Sequence, residues 1–392
     1  MRTACRGRKM KSEERKQNKK IEPARRAARV IVIFFAVVFG VLLLLGTILF
    51  FLYKSGKSSL YGKAANSAPV VNGEQDFLAA QGIEKFGTVQ WQSDWIAVDG
   101  RVYEYNTDTI NILILGIDRM GGLDDSTNYE NWDAGQADAI FIVSLHPAER
   151  TMKVVAIPRN SMVQLNIYGA DGEIQEQIYN QICLQYGYAG GGENGLTEMT
   201  RAVSELLYQL PIHGAAAIGY DAIVTINDAV GGVEIEVLED IIYDPEMVKG
   251  NIIRLTGEQA FLYLHHRDVT QAGSPTERLQ RQKQYLLAFA DTAKEKMKEN
   301  PLIVSDVYRA LAGYMNTDIT LDQTVYMATE ILNYRFDVDE IYTLEGEDKI
   351  VPYINEDGQE DFFDDYYLNE ESIKKVMAEV FYTEVHLTEE DY

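Results

Sequence analysis

Asp118, Asp138, Arg159, Arg267, Arg278, Arg281 and Gln282 are the side chains of this 392-residue chain whose types and places could do chemistry. Arginine forks grip phosphate oxygens two at a time. Mg²⁺ takes one or two carboxylates and completes its octahedron with phosphate oxygens and water, so Asp118 and Asp138 would suffice as its protein ligands. Such a set can position and neutralise a phosphoryl group, and no protein nucleophile is needed when an incoming hydroxyl attacks phosphorus. Each residue also has a plainer reading. Asp118 could be a strand-end or turn residue, Arg159 a surface ion-pair partner, and the Arg278/Arg281/Gln282 face the solvated side of a helix. Arg281 could pair with an acid instead.

The elements that must carry these residues are readable. Three apolar runs, Ile110–Ile117, Ala139–Leu145 and Met152–Ile157, are nearly continuous in hydrophobicity, as strands covered on both faces of an α/β sheet would be. The first ends at Asp118-Arg119 and the third at Pro158-Arg159-Asn160, and ligands of open α/β sheets sit at the carboxyl ends of strands. Thr256-Gly-Glu-Gln259 and Ser274-Pro-Thr-Glu277 are capping boxes that predict helices over 257–265 and 275–298. On the second helix Arg278, Arg281 and Gln282 share one face. Leu196, Met199, Val203, Leu206, Leu207 and Leu210 recur as a core-facing helical stripe. Apolar residues of the helices at 196–210 and 284–290 could line a lipid pocket or equally pack a core. Asp99-Gly100 predicts a hairpin turn, Asp228-Ala-Val-Gly-Gly leads structurally into a strand over 233–237, and Gly190-Gly191-Gly192 reads as a flexible loop. Cys183 reads as an inert buried thiol.

The formal charge is −24, but residues 1–29 carry 12 Lys/Arg against 3 Asp/Glu and residues 30–53 carry no charge, which leaves −33 on the remainder. A body so acidic repels a phosphate backbone, so a nucleic-acid partner is not expected. Val30–Tyr53 is 24 uncharged residues, longer than a bilayer core requires and too long for the apolar region of a cleaved signal peptide. It predicts one membrane-spanning helix, and the basic head at 1–29 places the N-terminus in the cytoplasm and the acidic body outside. Cys5 and Cys183 then lie on opposite sides of the membrane, which excludes an intrachain disulfide. Residues 54–72 read as a flexible stalk, 73–350 as the extracellular α/β domain, and 351–392 as a small acidic appended element.

The ordered motifs Asn111–Arg119, Ala137–Val143, Ala156–Arg159, Asp228–Val233, Leu255–Ala260 and Arg278–Gln282 resemble those of the LytR-CpsA-Psr family over about 110–290. The resemblance implies a mixed central β-sheet flanked by helices, preceded by one transmembrane helix and set on the outer face of a Gram-positive cell membrane. It implies binding of a polyprenyl-pyrophosphate-linked glycopolymer and its Mg²⁺-dependent transfer to the C6 hydroxyl of N-acetylmuramic acid in peptidoglycan, with undecaprenyl phosphate leaving. Asp118 and Asp138 would hold the metal. Arg159, His265, Arg267, Arg278, Arg281 and Gln282 would bind the pyrophosphate, with Asp138 and Arg159 catalytic and Asp138 the candidate general base.

The chain departs from the family pattern at Gln136 and His265, where arginines are usual, and at Asn160, where aspartate is usual; an aspartate usually found just before Arg278 is also missing. His265 can still donate a hydrogen bond or, when protonated, a charge. These departures keep two other functions open: a non-catalytic scaffold that binds polyprenyl phosphate or wall polymer, and a hydrolase that passes the same phosphoryl group to water.

Overall fold

A computed structural model describes Thr47, residues 50–62 and most of 68–388; outside it lie 1–46, 48–49, 63–67, 72, 83, 85, 87–89, 120–121, 124–133, 170, 267–273, 301, 355–357, 359 and 389–392. The basic head, nearly all of the apolar run 30–53 and Arg267 therefore fall outside the described residues. Among the described residues, no helix is long and apolar enough to cross a membrane. Contacts divide the chain between Ser55 and Gly56. Of the first unit, 50–55 are helical.

Among the described residues, the second unit holds one six-stranded mixed sheet and four smaller ones. A hairpin of β1 (Trp95–Val98) and β2 (Arg101–Tyr105) turns at Asp99-Gly100, both with positive φ, as the dipeptide predicts. The main sheet follows in β3 (Ile110–Ile117), β4 (Ala137–His146) and β5 (Thr151–Ala156), consecutive antiparallel neighbours. After the hairpin β6 (Met162–Tyr168) and β7 (Ile174–Gln181), the sheet is widened by β8 (Gly214–Ile218), parallel to β3. The hairpin of β9 (Val233–Glu236) and β10 (Ile252–Leu255) stands apart; β11 (Met315–Thr317) and β12 (Ile341–Thr343) form the edges, antiparallel to β8 and parallel to β5. The hairpin β13 (Gly346–Ile354) and β14 (Glu360–Leu368) precedes β15 (Tyr382–Val385), which joins β2.

Period-2 alternation gives the main sheet two apolar faces. Leu113, Leu115, Ile140, Ile142, Val155 and Ala217 face a core completed by Leu196, Met199, Val203, Leu207 and Leu210, so the predicted stripe packs there. It lies on helix α1 (Gly192–Leu206) and the turn after it. The opposite face, with Phe141, Val154 and Ala156, meets Leu279 and Leu286 of helix α2 (Ser274–Glu299). The helix Gly257–His265 starts at the predicted capping box, with Thr256 accepting from Gln259 N. Asp228 Oδ1 accepts from Gly257 N at 2.8 Å, a structural role as read. The side chains of 274–276, and with them the second capping box, are outside the described residues.

Three expectations are corrected. Residues 54–72 do not form a flexible stalk throughout: 56–62 are helical, Leu60 is fully buried, Ser59 Oγ accepts from Gln323 Nε2 at 2.8 Å, and Val71 joins the main core. Nor do residues 351–392 form an appendage. Ile373, Val376, Met377 and Phe381 belong to the main core, and β15 pairs with β2 at the other end of the chain, so the boundary drawn at 350 is no structural break. Gly190, Gly191 and Gly192 are buried with φ of 80°, 69° and 57°. They form a tight left-handed turn into α1 rather than a flexible loop, in a conformation that L side chains rarely adopt.

His146 and His213 are buried, and burial pushes both down to about 4. His213 Nδ1 accepts from Asn111 N at 3.0 Å, which requires a ring free of a proton at that nitrogen. The unfolded chain binds protons that these neutral rings refuse, so stability is intact above about 6.5 and falls as pH drops toward 4. The loss is expected to be on the order of 2–3 kcal/mol per histidine. Denaturant titrations between pH 7 and 4 check this. A flat profile, or one unchanged by His213→Gln, would contradict it.

Candidate active site

Asp138 owes its place to a β-bulge. Gly116 pairs with Ala139 and Ile117 with Ala137, leaving Asp138 as the extra residue of β4. A bulge re-aims a side chain, and Asp138 thereby lines the same cavity as its neighbour Ala139. Its Oδ1 pairs with Arg159 Nη1, and its Oδ2 accepts from Arg278 Nη1 at 3.0 Å. One carboxylate thus holds two guanidinium groups together, one from beyond the end of β5 and one from the first turns of α2.

Gln136 ties the second carboxylate to this cluster. Its N–H donates to Asp118 Oδ1, its carbonyl accepts from Asp118 N at 3.0 Å, and its Oε1 accepts from Arg159 Nη2 at 2.6 Å. The glutamine that stands where arginine was expected is therefore a strut between Asp118 and Arg159. Burial, reinforced by the Asp138 charge, pushes the Asp118 carboxyl above its ordinary range against the Gln136 N–H. Arg159 Nη2 also reaches Cys183 Sγ at 3.4 Å. Cys183 is buried as read, its thiol is pushed up by burial, and it touches the site.

Asn160 has a different task from a site ligand. Its Nδ2 donates to Asp364 O at 2.7 Å and its carbonyl accepts from Tyr366 N at 2.9 Å, which moors the β13–β14 hairpin beside Arg159. Arg278 and Gln282 line the cavity with Asp138 and Arg159. Arg281 does not. The residue is 1% exposed, and its guanidinium pairs with Glu239 and donates to Tyr263 O at 2.8 Å and to His266 O. Burial pulls it down to about 10. Its expected place on the pyrophosphate is corrected to a structural one.

His265 shares a hydrogen bond of 2.9 Å with the Tyr220 hydroxyl through Nδ1, with Phe261 stacked on its ring, and it is exposed rather than in the cavity wall. Tyr220 was missed from the sequence. Burial and the charges of Asp138 and Asp118 push its phenol far above the ordinary range. An aromatic two residues past the end of β8 carries no motif that would have marked it.

Two cavities share one face of the main sheet. The first, about 690 Å³, holds the charged cluster and is closed on one side by Asp348, Ile350, Phe362, Asp364 and Tyr366 of the hairpin. Of these, Phe362, Asp364 and Tyr366 were assigned by sequence to an appended element, and Asp348 and Ile350 to the end of the α/β domain; Asp357-Gly358 between β-rich runs was the available hairpin signal. The second, about 410 Å³, is walled by apolar residues including Ile114, Val143, Val154, Leu286, Phe289 and Ala293. Of the two helical stretches read as either lipid-lining or core-packing, 284–290 contributes Leu286, Phe289 and Ala290 to this apolar cavity and 196–210 packs the core. Along α2, residues 278, 279, 280 and 282 line the first cavity and 286, 289, 290, 293 and 297 the second.

The sequence model described as the LytR_cpsA_psr family matches residues 79–379. The chain belongs to the LytR_cpsA_psr family. Among curated relatives, the protein named polyisoprenyl-teichoic acid–peptidoglycan teichoic acid transferase TagU of Bacillus mycoides (strain KBAB4) is 27% identical over 228 residues, 58% of this chain and 66% of the relative. The protein of the same name from Bacillus cereus (strain AH820) is 28% identical over 221 residues, 55% and 63% respectively. The matched stretches thus span just under two thirds of these relatives' own length. Among solved structures, TagV of Bacillus subtilis superposes with a TM-score of 0.51 at 20% identity, covering 70% of this chain and 96% of that one. The protein gbs0355 of Streptococcus agalactiae gives 0.52 at 19%, covering 70% and 87%. These two share the fold: a mixed sheet flanked by helices, as expected for the family.

Proposed function

We propose that this protein is a phosphotransferase that moves a glycopolymer from a polyprenyl pyrophosphate to the C6 hydroxyl of N-acetylmuramic acid in peptidoglycan, releasing undecaprenyl phosphate. The observation that carries the reading is the succession of the two cavities along α2 and the sheet. An arginine-bearing cavity and an apolar one lie in succession along α2, an arrangement that suits an anionic head with a long hydrocarbon tail. Family membership and the names of the TagU relatives support the same class of reaction. The apolar run 30–53 supports a membrane anchor that keeps the body at the outer surface, where such a lipid would be met.

Arg159 and Arg278 would hold the pyrophosphate, with Gln282 as a further donor from the same helix face. The same guanidinium groups saturate Asp138, so phosphate oxygens would compete with that carboxylate for them and release it for other work, as metal ligand or as base toward the attacking hydroxyl. Asp118 and Asp138 suit Mg²⁺: they are hard oxygen donors, and Asp118 is a half-buried carboxyl disfavoured by its neighbour's charge, which a cation relieves. Bound there, the ion would neutralise charge on the pyrophosphate oxygens. Among the described residues no group of three or more metal-ligating side chains converges, consistent with an ion completed by substrate oxygens. Arg267 and His265 are proposed as further contacts to the head group.

The test is the full chain in detergent with a labelled polyprenyl-pyrophosphate glycan and peptidoglycan oligomers, with and without Mg²⁺. Metal-dependent ligation is the expected result, and lipid binding with no product under any divalent ion would refute the transferase reading. The apolar cavity makes its own prediction. Ala293→Trp should fill it and weaken binding of a long-chain prenyl pyrophosphate at least tenfold, with a much smaller effect on a five-carbon analogue, because each buried methylene contributes about 0.8 kcal/mol. Equal losses for both chain lengths would place the tail elsewhere.

A further inference from the structure

We propose that the β13–β14 hairpin is the platform for the acceptor glycan, an uncharged saccharide whose hydroxyl attacks the phosphorus. The inference rests on the transferase reading above and adds to it where the acceptor sits and which residues recognise it.

The hairpin register places Asp348, Ile350, Phe362, Asp364 and Tyr366 on one face, and that face lines the charged cavity. Ile350 and Phe362, both large and apolar, are 69% and 59% exposed there. On the other face, Tyr353 and Phe363 stack with ring centroids 4.1 Å apart, which stiffens the ribbon. Its base is fixed to the residue after Arg159: Tyr366 N donates to Asn160 O, Asn160 Nδ2 to Asp364 O, and Gln181 Nε2 to Asp365 Oδ1 at 3.0 Å. The platform is thus held at a set position relative to the arginine cluster.

A flat aromatic and aliphatic patch beside carboxylates matches a pyranose, which has an apolar C–H face and hydroxyl donors at its edge. Charge narrows the ligand further. Residues 346–368 carry eight Asp/Glu and one Lys, a net −7 that disfavours both a polyanionic polymer and an anionic lipid surface. Position selects the acceptor. Along β5, Met152 and Val154 line the apolar cavity, Arg159 follows the strand's end, and the hairpin bridges to Ser161. Tail, phosphate and hairpin therefore lie in that order. Phosphoryl transfer is in line, so with the lipid phosphate leaving toward the apolar cavity the attacking oxygen comes from the hairpin side. In the step, the acceptor oxygen–phosphorus bond forms as the bond from phosphorus to the bridging oxygen breaks. The hydroxyl proton passes to a base and the bridging electron pair leaves with the lipid phosphate.

The test titrates the full chain in detergent with the tetramer of N-acetylglucosamine and, separately, with inorganic pyrophosphate. Phe362→Ala is expected to weaken tetramer binding at least tenfold, Asp348→Asn about threefold, and Phe362→Tyr little, with pyrophosphate affinity unchanged in all three. In the transfer assay Phe362→Ala should raise KM for the glycan acceptor and leave KM for the lipid donor as it was. Equal tetramer affinity for wild type and Phe362→Ala would overturn the proposal. So would a rise in donor KM instead, or tetramer-independent sedimentation with anionic vesicles that Phe362→Ala abolishes. The transferase reading fails separately, by unaltered pyrophosphate affinity in Arg159→Ala, and that result leaves the tetramer titration to decide the platform.

Discussion

Arg159→Ala is expected to lower glycopolymer transfer by about 10³-fold, the usual effect of removing one preorganised donor from a site that stabilises developing negative charge. The guanidinium pairs with Asp138 and also reaches Gln136 Oε1 and Cys183 Sγ. Its loss removes a phosphate grip and leaves Asp138 held by Arg278 alone. Because that second arginine still satisfies the carboxylate, unfolding should shift by no more than about 1–2 kcal/mol. Arg159→Lys should recover little, since an ammonium is a point charge and cannot serve three partners in one plane. Single-turnover transfer beside a thermal melt checks both halves. Activity within tenfold of wild type would remove Arg159 from the chemistry.

The largest stability effect should come from Arg281→Ala, three residues from Arg278 and of the same type. The substitution strips a partner from Glu239 and orphans the carbonyls of Tyr263 and His266. Breaking a buried ion pair on one side costs about 3–5 kcal/mol; Glu239 is 27% exposed, so about 3 kcal/mol is expected here. The double variant Arg281→Met with Glu239→Leu should regain most of it, because the cost lies in the uncompensated charge. Denaturant midpoints of the three proteins decide this. An unchanged midpoint together with lost pyrophosphate binding would return Arg281 to the site.

The contrast between Arg278 and Arg281 shows how far the chain could be read in one dimension. Spacing of i, i+3 and i+4 puts 278, 281 and 282 near one another, but at 100° per residue Arg281 lies about 60° to one side of Arg278 and Gln282 about 40° to the other. Helix α2 is sandwiched. Leu279, Gln282 and Leu286 face the sheet and its cavities, whereas Tyr285 faces the second core, and Arg281 stacks its charge over Tyr263 of that core. Periodicity names the face of a helix within about a quarter turn, and a helix packed on two sides needs a finer division than that.

What the sequence determined by itself is local. Strands β3, β4 and β5, the capping box at Thr256, the Asp99-Gly100 turn and the stripe at 196–210 follow from hydrophobic period and backbone chemistry within a few residues, and the structure has them where they were expected. Motif order brought Asp138, Arg159 and Arg278 onto one list before any contact was known. The tertiary structure alone decided which of the listed groups meet, because that depends on partners distant in the chain. Asp138 reaches its arginines through a bulge set by pairing with β3. Glu239 withdraws Arg281 from the site. The acidic C-terminal stretch, which composition marks as a solvated appendage, becomes a wall of the cavity and part of the main core because β15 pairs with β2 and Tyr366 bridges to Asn160. Composition reports what a segment costs to bury, and only the long-range pairing of backbone groups settles what it is placed against.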